Sequence, residues 1–200
     1  MKATGDRPVA ILRRLLPPRL ISIVSGMNMK PVDIDQLQAF LSNARIATAD
    51  PSLKIGRELS YAEPPIRTVV IHFGEADTKT YISKVVSIIL ELEDEWFLIP
   101  RYGTASDLHL IENGRFAAIL FRPPDRQKLV EYLCTRPMDI GGFSVDLYVL
   151  STSGGVLLTW DHHTASEGLT IQLCKVEQAT QLLVALNELG AELEVYYVNR

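Results

Sequence analysis

Two apolar runs separated by a glycine-rich turn restrict the fold of this chain more than any other feature. Residues 143–150 and 156–162 are rich in side chains that favour strands, and Ser151–Gly155 joins them. This arrangement predicts an antiparallel hairpin. Residues 169–174 predict a further strand, so we expect a sheet in which neighbouring strands are antiparallel.

Residues 176–189 predict a helix, because apolar side chains recur at spacings of three and four along one face. Gly190 follows at the position where a left-handed residue commonly ends a helix. In residues 192–198, one set of side chains alternates with another, which predicts a final strand. The first set is Leu193, Val195 and Tyr197, and the second is Glu194, Tyr196 and Val198.

A second helix is predicted over residues 33–44, where Asp33 can cap the first turn and Gln36 stands at the capping-box position. Its apolar side chains also follow helical spacing. Residues 45–65 are expected to be irregular, because prolines interrupt them.

Further strands are predicted at residues 66–73 and 96–100, which are dense in β-branched and aromatic side chains. Residues 79–92 fit either a helix or a strand, since their apolar positions match both periods. The density of Val, Ile, Thr and Tyr favours a strand there.

Asn113–Gly114 predicts a hairpin between residues 107–112 and 115–121, since a type I′ turn needs positive φ at both central residues. A helix is expected from Pro123 to Cys134, because proline is accepted in a first turn. The chain is therefore expected to have an α+β fold, mainly an antiparallel sheet with about three helices packed on it.

The domain organisation has two interpretations. Residues 30–200 form a single α+β domain in the first. In the second, both halves are pseudo-repeats of several strands followed by a helix, with sub-lobes at 30–136 and 137–200.

Charge is distributed unevenly along the chain. Residues 1–29 hold five of the 20 Lys and Arg residues and one acid, so the remainder is more acidic than the net charge of −4 suggests. We interpret 1–29 as a loosely attached basic arm or as a start assigned too early, with Met27 and Met29 as the alternative starts. An acidic body disfavours nucleic acid as a partner and favours a basic protein.

Hydropathy and cysteine usage indicate a cytoplasmic protein. The chain has no run of about 18 uncharged apolar residues that would span a membrane. Cys134 and Cys174 are too far apart in sequence for a metal-ligand motif and are expected to be reduced thiols.

The densest group of chemically active side chains is Asp161-His162-His163, at the end of a predicted strand. Asp161 and His163 would share one face of that strand and form a carboxylate–imidazole pair. Glu167, or His109 from another strand, could complete a metal site, because catalytic zinc needs three protein ligands. The alternative is ordinary strand-end and turn chemistry.

The tripeptide Asp161-His162-His163 resembles the signature of the DHH phosphoesterases. The resemblance covers these three residues and implies manganese binding together with other aspartates. It also implies a parallel α/β fold, whereas the flanking segments here predict antiparallel strands. Asp33-Ile34-Asp35 is the sole Asp-x-Asp in the sequence and opens a predicted helix.

We expect a non-catalytic, cytoplasmic protein-binding module with an acidic surface and no cofactor, for example an immunity-type or regulatory inhibitor. Trp160, Arg101 and Tyr102 are candidates for its binding surface. A separate hypothesis is a structural component of a larger assembly, in which Trp160 and Tyr196 would be interface anchors.

The alternative function is a metal-dependent hydrolase that uses Mn or Zn. Asp161, His163 and Glu167 would be its ligands, and His162 a second ligand or a general base.

Overall fold

The computed structural model describes residues 30–48, 58–73, 79–102, 118–134, 146–160 and 168–197. Within these residues the strands are β1 (Lys30–Val32), β2 (Ile46–Thr48), β3 (Leu59–Tyr61), β4 (Arg67–His72), β5 (Trp96–Tyr102), β6 (Ala118–Phe121), β7 (Asp146–Ser151), β8 (Val156–Trp160), β9 (Leu169–Leu173) and β10 (Glu192–Tyr197). The helices are α1 (Ile34–Asn43), α2 (Lys79–Leu90), α3 (Arg126–Cys134) and α4 (Val176–Leu189). The basic arm at 1–29, the Asn113–Gly114 turn and the turn at 74–77 lie outside the described residues.

Eight strands form one sheet in the order β1-β6-β5-β7-β8-β9-β4-β10. Every neighbouring pair in it is antiparallel. Strands β2 and β3 form a separate antiparallel pair. This architecture confirms the predicted α+β fold.

Two hydrophobic cores lie on opposite faces of the large sheet, because successive side chains of a strand point to opposite sides. Leu98 of β5 belongs to the larger core, which also contains the apolar faces of α2, α3 and α4. Its neighbours Phe97 and Ile99 belong to the smaller core, together with Leu37 and Leu41 of α1. The sheet is therefore the middle layer of the molecule.

Local sequence signals account for α1 and α4. The Asp33 carboxylate accepts a hydrogen bond from the backbone N–H of Gln36 at 2.8 Å, which confirms the predicted cap of α1. Helix α4 ends at Gly190, whose φ of 76° is the left-handed conformation that glycine adopts without steric cost. A 3₁₀ turn at Pro123–Asp125 directly precedes α3, which is consistent with the predicted helix start at proline.

The strand predicted at residues 79–92 is wrong, because Lys79–Leu90 forms α2. Val85, Val86, Ile89 and Leu90 are all buried within the larger core. Their spacing is that of one helical face, and burial of this face outweighs the weak strand preference of β-branched residues. The described residues thus contain four α-helices, one more than expected.

The irregular structure expected at residues 45–65 is also wrong in part, because β2 and β3 pair there. Ile46 and Leu59 are buried in the smaller core. These strands are three residues long, so their periodicity is too short to identify from sequence. Arg45 enters β2 with a positive φ of 54°.

The hairpin predicted across Ser151–Gly155 is confirmed in the described residues as β7 and β8. Leu150 of β7 lies opposite Leu157 of β8, and the turn between them includes Gly154 with a φ of 71°. None of the described helices combines the length and the apolar character that crossing a membrane requires.

Candidate protein-binding surface

The candidate metal ligands and the candidate base lie outside the described residues, and so does the alternative ligand from another strand: Asp161, His163, Glu167, His162 and His109. The hydrolase hypothesis that depends on them stays a prediction. Among the described residues, no group of three or more His, Cys, Asp or Glu side chains is arranged to hold a metal ion.

The predicted binding residues occupy different environments. Trp160 is 2% exposed and packs in the larger core, so the surface described below does not include it. Arg101 and Tyr102 are the last two residues of β5. Tyr196, the second predicted interface anchor, lies on β10 and is 54% exposed.

Strand β10 is an edge of the eight-stranded sheet. All six of its residues pair with β4, from Glu192 opposite His72 to Tyr197 opposite Arg67, without a bulge. Within the part of the chain that the structure describes, no strand pairs with its outer side. Unpaired backbone groups at the edge of a sheet are the groups to which a further strand can bind.

The side chains of β10 separate into two faces. Leu193 and Val195 are half-buried against the larger core. Glu192, Glu194 and Tyr196 are exposed on the opposite face. The strand thus presents carboxylates and a large aromatic side chain to solvent.

A small electrostatic cluster holds Glu194 in its charged form. The Tyr196 hydroxyl donates a hydrogen bond to Oε2 of Glu194. Nε2 of His72 lies 3.2 Å from Oε1 of Glu194. The Tyr196 hydrogen bond is the largest cause that lowers the pKa of Glu194, and the His72 charge adds to it. The same hydrogen bond raises the pKa of Tyr196, so its hydroxyl stays protonated as a donor.

At the end of β10, the guanidinium of Arg67 lies 4.2 Å from the ring centroid of Tyr197. Cation–π contacts at exposed positions contribute about 0.5–1 kcal/mol, enough to restrict the orientation of a ring that is 60% exposed. The second tyrosine of β10 is therefore a positioned aromatic side chain, as interface anchors often are.

A cavity of about 150 Å³ lies beside Tyr61, Arg45 and Cys174. The Tyr61 hydroxyl donates to the carbonyl oxygen of Gly154 at 2.9 Å, and burial raises the pKa of Tyr61. The phenol is thus a structural donor that stays protonated. Small-molecule sites usually measure about 300–1,000 Å³, so this cavity is smaller than a typical ligand pocket.

Sequence reasoning missed a polar network around Glu93. Its carboxylate accepts hydrogen bonds from the Ser153 hydroxyl and from Nε2 of Gln178, the latter at 2.6 Å. Nζ of Lys175 lies 3.6 Å from the same oxygen. These contacts join the start of α4, the β7–β8 turn and the loop before β5, and we interpret the network as structural.

Sequence reasoning also missed His72, Glu192 and Glu194 as members of one surface. The alternation of acidic and apolar residues in β10 was the available signal. It shows that one face is polar, but the position of the strand at an edge depends on the order of strands in the sheet.

No known family model matches the chain, and the comparisons with curated proteins and with solved structures found no match either. The resemblance of Asp161-His162-His163 to the DHH phosphoesterases therefore receives no support beyond the tripeptide.

Proposed function

We propose that this protein is a non-catalytic protein-binding module that presents an acidic surface to a basic protein partner. The observation that carries this proposal is β10, an edge strand whose Glu192, Glu194, Tyr196 and Tyr197 side chains are all exposed. Carboxylates attract a basic partner during encounter, and tyrosines provide contact area once it is bound.

The electrostatics of β10 support this proposal. Because the pKa of Glu194 is lowered, its carboxylate remains charged in mildly acidic solution as well as at neutral pH. The net charge of −4 has the same sign, so long-range attraction and local contacts favour the same class of partner. Nucleic acid, which is itself an anion, is disfavoured for the same reason.

The finer form of this proposal is an immunity-type or regulatory inhibitor that acts in the cytoplasm on a basic protein. It is supported by the acidic charge, since an inhibitor of this kind would cover a basic site with a surface of complementary charge.

Charge reversal on β10 tests the proposal. Wild-type protein, Glu192→Lys/Glu194→Lys and the control Glu91→Lys/Glu131→Lys would be used as baits in extract of the source organism. Glu91 is exposed directly after α2, and Glu131 is exposed on α3. Both double variants change the net charge by the same amount. Captured proteins would be identified, purified and titrated against each bait by calorimetry.

We expect a basic partner whose affinity falls at least tenfold in the β10 variant and changes less than threefold in the control. Its affinity should also fall with added salt. Equal affinity for wild type and the β10 variant, or capture of acidic partners alone, would overturn the proposal.

A further inference from the structure

We infer that the partner contributes an extended strand to the outer edge of β10, with Lys or Arg on one face and apolar side chains on the other. This inference rests on the proposed function and specifies how the partner binds. The sheet would then continue across the interface, and backbone hydrogen bonds would supply affinity in addition to charge.

The backbone of β10 is suited to strand addition. In an antiparallel pair, alternate residues direct their N–H and C=O groups towards the neighbouring strand, and the others direct them away. β10 keeps a continuous six-residue register with β4, so its outward groups are regularly spaced. It contains no proline, which would remove a donor.

The side chains of β10 define the chemistry of the added strand. Residues directly opposite each other on neighbouring strands share a face and lie about 4.5–5.5 Å apart at Cβ. Lys or Arg opposite Glu192 and Glu194 would therefore form cross-strand ion pairs. Apolar side chains opposite Leu193 and Val195 would extend the layer that these residues form over the larger core.

The same pattern disfavours two registers in which a second copy of this chain would be the added strand. Antiparallel self-pairing centred on Leu193 sets Glu192 opposite Glu194 of the second copy. Self-pairing centred on Glu194 sets the two Glu194 side chains opposite each other. Like charges directly opposite are destabilising, so these two registers of self-association are disfavoured, whereas Lys or Arg opposite the same carboxylates is favoured.

End-blocked synthetic peptides test this inference with the full-length protein. The parent peptide alternates lysine and valine over seven residues. One derivative carries methyl groups on the backbone nitrogens of its valines, and another carries them on the backbone nitrogens of its lysines. Because alternate residues direct their N–H groups to opposite edges, each derivative has one backbone edge blocked. The charge and the side chains are unchanged. A fourth peptide has the same composition with its lysines and valines in separate blocks. Affinities would be measured by fluorescence anisotropy.

We expect the parent to bind and one methylated peptide to bind at least tenfold more weakly, while the other changes less than threefold. The block peptide should also lose at least tenfold. Equal effects of the two methylations, equal binding of the block peptide, or no binding of the parent at 1 mM would overturn strand addition. The proposed function would be judged separately, because the affinity of the natural partner for the charge-reversed protein decides it.

Discussion

The central and the lateral strands of the sheet differ in how many of their faces are buried. In β7, Leu147 and Val149 belong to the larger core, whereas Tyr148 and Leu150 belong to the smaller core on the other side. In β10, one face packs on the larger core and the other is exposed. The sequence of β7 is therefore a continuous apolar run from Leu147 to Leu150, and that of β10 alternates between polar and apolar side chains.

This difference indicates where the proposed partner would bind. Helix α1 with β2 and β3 covers the second face over the strands near β5 and β7. The side chains of β9 on that face, Thr170 and Gln172, are polar and half-buried. A strand buried on both faces uses all its side chains for packing, whereas β10 has one exposed face and, among the described residues, one edge without a strand partner.

Leu150→Ala should give the largest stability loss and tests the comparison directly. Leu150 is fully buried, and truncation of a buried leucine costs about 2–5 kcal/mol. The same substitution at the half-buried Leu193 of β10 should cost less, about 1 kcal/mol, since less apolar area is lost. Urea unfolding measures both. Equal losses would show that side-chain packing stabilises β10 as strongly as β7.

Trp96→Phe should cost about 2–3 kcal/mol, because it removes buried volume and an indole donor. Trp96 is 1% exposed, and its Nε1 lies 3.1 Å from the carbonyl oxygens of both Leu90 and Glu93. The matched control is Tyr197→Phe on β10, which should change the free energy of unfolding by less than about 0.5 kcal/mol. A Trp96→Phe variant as stable as the control would contradict this role.

Gly154→Ala should destabilise by about 2 kcal/mol, because an added Cβ meets the neighbouring layer and φ is positive. That Cβ would lie 2.7 Å from Cβ of Ala44, at the end of α1. Gly190 also has a positive φ, but an added Cβ there meets nothing within 4 Å, so Gly190→Ala should cost only about 1 kcal/mol. Thermal unfolding of both variants measures the difference, and equal melting temperatures would exclude the steric component.

Tyr196→Phe should have the smallest effect, a rise in the pKa of Glu194. The lowered pKa of this carboxyl stabilises the folded state above its ordinary pKa, and that stabilisation is lost as pH falls through the folded value. Removing the Tyr196 hydroxyl removes the largest cause of the shift. Carboxyl-carbon NMR titration follows it. His72→Ala removes the two smaller contributions that come from the imidazole and should also raise the pKa of Glu194; an unchanged pKa in Tyr196→Phe would refute this assignment.

The parts of the fold that were predictable depend on short-range signals. The β7–β8 hairpin follows from two apolar runs around a glycine turn, and the end of α4 follows from Gly190. The segment of α2 was misassigned because its β-branched residues favour strands locally, while burial of Val85, Val86 and Ile89 decides for a helix. Local preference is worth tenths of a kcal/mol per residue, and burial of a large apolar side chain is worth about 1.5–3 kcal/mol.

Only the components of the proposed binding surface are predictable from the sequence. The sequence indicates Tyr196 as a candidate anchor and residues 30–200 as acidic. It does not indicate the contact between His72 and Glu194, because these residues are far apart in sequence and meet only where β4 pairs with β10. Tryptophan is common among interface anchors, but the strand of Trp160 lies within the sheet and its ring is buried.

Four properties of this protein follow from its amino-acid sequence alone: the α+β class, most of the strands, the termini of α1 and α4, and the acidic charge. These properties depend on side-chain periodicity, capping and composition, which act over a few residues or over the whole chain. The strand order, the helical state of α2 and the exposure of β10 depend instead on contacts within the folded chain. Strand order depends on contacts between residues distant in sequence, and an edge exists only when the neighbours of every strand are known.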